Sequence, residues 1–141
     1  GFTYRLDAMQ AAILDVKLDY IDAWNDTRRR LAASYTRLFS GMGVVTPQEK
    51  DDRQAVYHVY TLRVSDRDAL VEYLRANDIG ASIHYPLPIH LQPAYAHLGL
   101  GKGSYPVVEA CAEDILSLPI YPEMTEEQIQ RVVDTVERFS D

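Results

Sequence analysis

The run IHYPLPIH at residues 83–90 places two histidines and a tyrosine around two prolines. Each proline fixes φ and lacks a backbone N–H, so the run is too rigid for a helix and too interrupted for a central strand. His84, Tyr85 and His90 are therefore expected to project from a stiff extended segment, which suits the wall of a binding pocket. Alternatively, the tyrosine and one histidine are satisfied residues at the edge of the core, and the residues alone leave both interpretations open.

The opening run GFTYRLD is a second candidate site. It places a glycine, a hydroxyl and Arg5 ahead of a long predicted helix. The first turn of such a helix offers free backbone N–H groups and the positive end of its dipole to an anion. The alternative is that Thr3 and Asp7 cap the helix while Arg5 pairs with Asp7, and the chemistry alone favours this capping role.

Other chemistries find little support in the residue pattern. The four histidines lack the i, i+4 helical spacing and the cysteine partners of zinc sites, so we expect no metal centre. The run GLGKGSYP lacks the preceding strand and the Gly-Lys-Ser/Thr order of a phosphate-binding loop, and a flexible connector is expected. Cys111, the only cysteine, lies in an apolar helical pattern and is expected to be a buried structural thiol.

Composition and charge exclude several classes of partner. The 141 residues suffice for one domain with a real core. Acidic residues outnumber Lys and Arg by 21 to 14, and no basic stripe is interleaved with aromatics, so nucleic acid is not an expected partner. No apolar run approaches the roughly 20 residues of a membrane-spanning helix, and a single cysteine forms no disulfide framework. We therefore expect a cytoplasmic protein with no membrane partner.

Hydrophobic periodicity predicts the elements that position these residues. One long helix, bent or straight, is expected from Leu6 to about Ser40, because no Gly or Pro interrupts its apolar spacing. At about 1.5 Å per residue it is longer than a small sheet can cover, so part of it should pack on something outside the chain. The elements expected next are a strand in 55–64, a helix after Asp66 ending before Gly80, a short strand in 81–85, a helix from Pro106, an extended piece in 117–121, and a last helix with a Thr125–Gln128 capping box. This order predicts an α+β fold.

Four blocks of the sequence resemble one family. GFTYRLDAMQAAI resembles the G-[FY]-N-x-R-[ML]-[DS]-x-[LI]-Q-A-A-I segment of the DegT-type (DegT/DnrJ/EryC/StrS) sugar aminotransferases. These are pyridoxal-phosphate-dependent enzymes that aminate keto-sugars on nucleotide carriers. VYHVYTLRV, IGASIHYPLPIHLQPAY and ILSLPIYPEMTEEQ are similar to later landmarks of the same family, in the same order. The match covers nearly the whole chain.

The resemblance implies a type I (aspartate aminotransferase-like) fold. Residues 1–40 would then be an interdomain helix and 41–141 the small C-terminal domain, with the large cofactor-binding domain upstream of residue 1. The family forms homodimers, acts on nucleotide sugars with an amino donor such as glutamate, and serves polysaccharide and cell-envelope biosynthesis. We accordingly expect the chain to be the C-terminal part of such a transferase.

The resemblance also assigns candidate residues. Thr3 stands where the family has an asparagine that reaches the cofactor phosphate of the neighbouring subunit, and threonine offers one hydroxyl donor in place of the amide. Arg5 matches the family's arginine at the same interface. The block holding His84, Tyr85 and His90 borders the substrate cleft in the family, so these side chains are the candidates for contacting the sugar or its phosphates.

No catalytic residue is expected within this chain. In the family, the lysine that forms the Schiff base with pyridoxal phosphate lies upstream of the first motif. The lysines here are Lys17, Lys50 and Lys102, on the predicted helix and in two loops, without the buried setting that this chemistry requires. We therefore expect the chain alone to be inactive and to bind no cofactor.

Two alternatives stay open at this point. Some relatives carry histidine in place of the Schiff-base lysine and remove a hydroxyl instead, and that position is outside the chain. A stand-alone ligand-binding or dimerisation domain is the other alternative. It would cover the apolar face of its first helix, whereas exposed Met9, Ile13 and Val16 would indicate a missing domain or partner.

Overall fold

The computed structural model describes residues 5–140, so the prediction for Thr3 lies outside the described part of the chain. Two short strands lie among the helices that follow the first two helices in the chain, and the α+β class expected from the sequence is confirmed. The elements in the described residues are α1 (Ala8–Leu18), α2 (Ile21–Leu38), β1 (Tyr60–Arg63), α3 (Arg67–Ala76), the 3-10 helices Ile89–Leu91 and Pro93–Leu98, α4 (Pro106–Asp114), β2 (Ile115–Leu118) and α5 (Glu126–Ser140).

The long predicted helix is two helices rather than one. The break falls at Asp19 and Tyr20, between α1 and α2. The Tyr20 N–H donates to Lys17 O at 3.1 Å, three residues back, which closes the last turn of α1 more tightly than an α-helix does. Helical bonding resumes at once, because the Trp24 N–H donates to Tyr20 O at 3.0 Å. Spacing of apolar residues continues through this break, so the sequence pattern did not reveal it.

The sheet is smaller than predicted. Strands β1 and β2 pair antiparallel, with Tyr60 opposite Leu118 and Arg63 opposite Ile115. The strand expected in 81–85 is reduced to one bridge, in which Ser82 exchanges both backbone hydrogen bonds with Ser117. Beyond it, the prolines of the next residues supply no N–H with which pairing could continue.

The core lies where α2, α3 and α5 meet the sheet. Tyr35 of α2 and Tyr60 of β1 are fully buried and stack with ring centroids 4.9 Å apart. Each hydroxyl has a partner, since Tyr35 Oη donates to Pro119 O at 2.9 Å and Tyr60 Oη lies 2.9 Å from Thr36 Oγ1. Aliphatic side chains from α3 and α5 complete the cluster, and each fully buried one contributes about 1.5–3 kcal/mol.

Helix ends agree with the sequence to different degrees. The capping box of α5 is confirmed, because Gln128 N donates to Thr125 Oγ1 at 3.2 Å and Thr125 N donates to Gln128 Oε1 at 2.9 Å. Pro106 opens α4 as predicted. Asp66 occupies the N-cap position of α3 without a side-chain capping bond. At the other end of α3, the left-handed turn falls on Asp78 (φ 58°), two residues before Gly80.

Candidate functional site

His84 is held at the edge of the sheet by a short polar chain. Its Nδ1 lies 3.0 Å from Ser117 Oγ, and Ser117 Oγ lies 3.2 Å from Thr61 Oγ1. Ser117 is buried on β2 and also forms the backbone bridge to Ser82, two residues before His84. Because alternate residues of an extended chain share a face, Ser82 and His84 lie on one side of this edge. The sheet thus fixes the imidazole, which is itself exposed.

A cleft of about 240 Å³ opens beside this histidine. It contains a second exposed histidine, His58, which precedes β1, so the cleft carries two imidazoles and two hydroxyls. Its lining residues are His58, Val59, Gly80, Ser82, His84, Ser117, Leu118, Pro119 and Ile120. The imidazoles and hydroxyls of this cleft can hydrogen-bond a ligand rich in hydroxyl or phosphate oxygens.

Sequence reasoning did not select His58, Ser82 or Ser117 for this cleft. A usable signal was present for Ser82, which alternates with His84 in an extended run. His58 and Ser117 are linked to His84 only through strand pairing. The spacing of residues along the chain does not show that His58 and Ser117 lie close to His84.

Tyr85 differs from its neighbour in having almost no cover. It is 73% exposed, and its ring meets the His84 ring edge-on with centroids 5.5 Å apart. The structure therefore brings together two of the three predicted substrate contacts, His84 and Tyr85, on the open side of the segment.

The structure places His90 apart from them. It is 8% exposed, its Nε2 lies 3.0 Å from Glu109 Oε1, and the Tyr105 ring packs against it with centroids 4.9 Å apart. His90 does not line the cleft that holds His84. Within the run 83–90, His84 therefore lies in an open cleft, whereas His90 is enclosed by other side chains.

Glu109 organises the region around His90. Its carboxylate accepts the backbone N–H of Gly103 at 2.7 and 3.0 Å and that of Tyr105 at 3.1 Å, in addition to the contact with His90. These bonds to Gly103, then Tyr105, and the histidine beside them lower the pKa of Glu109 from its ordinary 4.5. The glycine loop expected to be a flexible connector is therefore tied to α4.

At the other end of the chain, Asp7 caps α1. Its Oδ1 accepts the N–H groups of Met9 at 2.8 Å and Gln10 at 3.4 Å, which are donors that a bound anion would otherwise use. This is the capping role that the sequence favoured for Asp7. Arg5 is exposed just before it.

Within residues 5–140, no lysine lies in a buried setting suited to covalent attachment of pyridoxal phosphate. All three lysines, Lys17, Lys50 and Lys102, are exposed, whereas a Schiff-base lysine is activated in a desolvated pocket. Cys111 is half-buried rather than buried as predicted. Within residues 5–140 no cluster of three or more His, Cys, Asp or Glu side chains could hold a metal ion. No helix of that range is both long and apolar enough to cross a membrane.

Helix α1 presents an uncovered apolar surface. None of its residues is buried, and the exposed fractions of Met9, Ile13 and Val16 are 75%, 57% and 62%. An apolar groove of about 430 Å³ runs along the junction of α1 and α2, with Leu14 and Trp24 among its lining residues. Apolar surface of this extent is typical of a face that another surface covers.

A family of aminotransferases shares this sequence and fold. The profile of the DegT/DnrJ/EryC1/StrS aminotransferase family matches residues 1–137, and the chain belongs to that family.

Individual relatives show how much of such a protein this chain represents. The pleiotropic regulatory protein of Geobacillus stearothermophilus is 48% identical, and the match covers 99% of this chain and 38% of that protein. The dTDP-3-amino-3,4,6-trideoxy-alpha-D-glucose transaminase of Streptomyces venezuelae is 41% identical, with 100% and 38% covered. The crystal structure of S. venezuelae DesV superimposes with a TM-score of 0.91 at 41% identity, covering 97% of this chain and 37% of that one. The chain therefore spans less than two fifths of the length of these relatives.

Proposed function

We propose that this chain is the C-terminal part of a pyridoxal 5'-phosphate-dependent aminotransferase that aminates a keto-sugar on a nucleotide carrier, with an amino donor such as glutamate. The observation that carries the proposal is the family match over residues 1–137 to proteins of which this chain spans less than two fifths. Related transaminases are named for dTDP-linked amino sugars, which supports a nucleotide-sugar substrate. The lysine that holds the cofactor would come from the remainder of the protein.

Within this proposal, residues 1–40 connect two domains and residues 41–141 form the small domain. The supporting observation is the contrast between α1, which buries nothing, and the elements α2, β1, α3, β2 and α5, which share one core. A large cofactor-binding domain and the second subunit of a homodimer would cover the apolar face of α1. A stand-alone domain would leave that face in water, which its exposed Met9, Ile13 and Val16 argue against.

His84 and Tyr85 are the proposed contacts to the nucleotide sugar. Because Nδ1 of His84 is engaged by Ser117, Nε2 is the ring nitrogen left to meet a sugar hydroxyl or a phosphate oxygen. The exposed Tyr85 ring and hydroxyl offer a stacking face and a further donor beside it. His90 is closed in by Glu109 and Tyr105, so we assign it a role in holding this segment rather than a direct contact.

Thr3 and Arg5 remain proposed contacts to the cofactor phosphate of the neighbouring subunit. Arg5 is exposed and carries a guanidinium suited to phosphate, which supports its part of the proposal. Asp7 already satisfies the N–H groups of Met9 and Gln10 in the first turn of α1, so a phosphate here would be held by side chains more than by the helix end.

The test uses the full-length protein that contains this chain, assayed for amination of a dTDP-linked keto-sugar with glutamate. His84→Ala should raise the KM for the nucleotide sugar by about 10- to 100-fold and leave the half-reaction with glutamate unchanged, because the substitution removes a contact to only one substrate. His97→Ala is the matched control, since this histidine is exposed outside the cleft. Loss of a sugar hydroxyl without amination would contradict the proposal and identify a dehydratase.

A further inference from the structure

Glu109 is the first acidic residue after a long stretch without any. Residues 79–108 contain no Asp or Glu, although the chain has 21 of them in 141 residues. The single carboxylate that follows turns inward, and its side chain is only 10% exposed. A surface carboxylate without a structural role would face water, so the inward orientation of Glu109 indicates a structural role.

The carboxylate joins three separate segments. It lies on the first turns of α4, it accepts two N–H groups from the loop 101–105, and it contacts the buried ring of His90 on the 3-10 helix Ile89–Leu91. Gly103 adopts φ +93°, so a glycine is needed where the loop approaches the carboxylate. Without this acceptor, the two loop N–H groups would lose their partner.

The chemistry of the contact determines which nitrogen of His90 carries a proton. A carboxylate with a lowered pKa is ionised near neutral pH and can only accept hydrogen bonds. Nε2 of His90 must therefore be the donor, and neutral His90 is the Nε2–H tautomer with Nδ1 unprotonated. Glutamate thus dictates both the orientation and the tautomer of the ring.

We propose that Glu109 is a positioning residue of the substrate site: it fixes His90 as a hydrogen-bond donor and ties the loop 101–105 to α4, and thereby holds the segment 83–90 that presents His84 and Tyr85. The consequence for substrate binding rests on the proposed function. The contacts themselves do not.

The first experiment measures the contacts in the 141-residue chain by NMR. In the wild type we expect the ¹⁵N pattern of an Nε2–H ring for His90 and slow hydrogen exchange at the N–H groups of Gly103 and Tyr105. Glu109→Ala should accelerate exchange at both by about tenfold or more and abolish the fixed tautomer. Glu113→Ala, which removes an exposed carboxylate from the same helix, should change neither. An Nδ1–H ring in the wild type, or unchanged exchange in Glu109→Ala, would overturn the proposal.

Glu109→Leu is similar in size and has no acceptor atom, and it serves if the alanine variant fails to fold. Oε1 of Glu109 contacts His90 Nε2 and also accepts the N–H of Tyr105, so a glutamine could keep both contacts through its amide oxygen, whereas leucine removes them. The tautomer signature should therefore be lost, and retention of the wild-type ring pattern in a folded Glu109→Leu variant would contradict the proposal.

The second experiment measures the effect on the site in the full-length protein. Glu109→Leu should raise the KM for the nucleotide sugar by about tenfold while the half-reaction with glutamate stays unchanged. An unchanged KM would overturn the positioning role even where the NMR contacts are as described. A wild-type protein that binds the nucleotide sugar without aminating it would refute only the proposed function. The inference about Glu109 would then be tested by the affinity of Glu109→Leu for the same ligand, which should be about tenfold weaker than that of the wild type.

Discussion

Helices α1 and α5 differ sharply in how many of their side chains are buried. The helix α5 buries five side chains, among them Ile129, Val133 and Val136, whereas α1 buries none. Yet α1 is the more apolar in sequence, and its large side chains stand mostly in water. Apolar residues stabilise a chain only where a complementary surface lies against them. The comparison therefore divides the chain into a part that supplies its own core and a part whose partner surface is elsewhere.

The boundary between the two parts falls within α2. Trp24, near its start, lines the apolar groove beside α1, whereas Tyr35 and Phe39 are fully buried in the core with stacked rings 5.9 Å apart. The continuous apolar pattern of α2 thus contributes both to the groove beside α1 and to the core. The second half of the helix is buried within the chain, whereas the first half is suited to an interface with another surface.

The largest expected difference between the two parts comes from one substitution made in each. Leu74→Ala removes a side chain that is fully buried on α3, so it should lower the free energy of unfolding by about 2–5 kcal/mol. Leu14→Ala on α1 removes a side chain that is half exposed and should change it by about 0.5 kcal/mol or less. Urea unfolding of the isolated chain measures both. Equal losses would remove the distinction between the parts.

Alkaline pH provides a second comparison. Burial raises the pKa of Tyr60 from its ordinary 10.0 to about 12. Because the folded state favours the neutral phenol, its stabilisation is fully present below pH 10 and is lost as the pH rises through about 12. Tyr60→Phe should make the fall in unfolding free energy over this range shallower. Tyr20→Phe, at the exposed break between α1 and α2, should leave it as in the wild type. Superimposable profiles for Tyr60→Phe and the wild type would be the contrary result.

The smallest expected effect concerns the two helix caps. Thr125→Ala removes half of the capping box of α5 and should cost about 1 kcal/mol of unfolding free energy. Asp7→Ala removes the cap of α1 and should leave the global unfolding transition in place, because α1 contributes nothing to the core. The expected loss is instead in helical content, measured by far-ultraviolet circular dichroism. A comparable shift of the global transition by both variants would show that α1 is coupled to the core.

Local signals predicted most of the fold. The capping residues of α5 and the proline at the start of α4 lie within one turn of what they fix, so the sequence displays them directly. The break at Asp19 and Tyr20 contains no Gly or Pro. It arises because the Tyr20 N–H donates to Lys17 O, three residues back, which the sequence pattern does not show. The loss of the strand in 81–85 depends on pairing with residue 117, which spacing along the chain does not show.

The candidate site was predictable only in part. The prolines indicated that residues 83–90 are stiff, and the exposed pair His84 and Tyr85 agrees with a pocket wall. The partner of His90 is 19 residues away on another element and meets it because the intervening loop folds back. A long-range contact through a glycine loop produces no periodic pattern in the sequence, so the sequence alone does not reveal the contact between Glu109 and His90.

Hydrogen exchange along α1 shows whether this helix needs a partner surface, when it is measured in the isolated chain as a monomer and in the full-length protein. We expect fast exchange in α1 and slow exchange in α5 for the isolated chain, with α1 becoming protected in the full-length protein as its apolar face is covered. If the amides of α1 are as protected as those of α5 in the monomeric chain, then α1 needs no partner surface, and the assignment of residues 1–40 to a connection between domains is wrong.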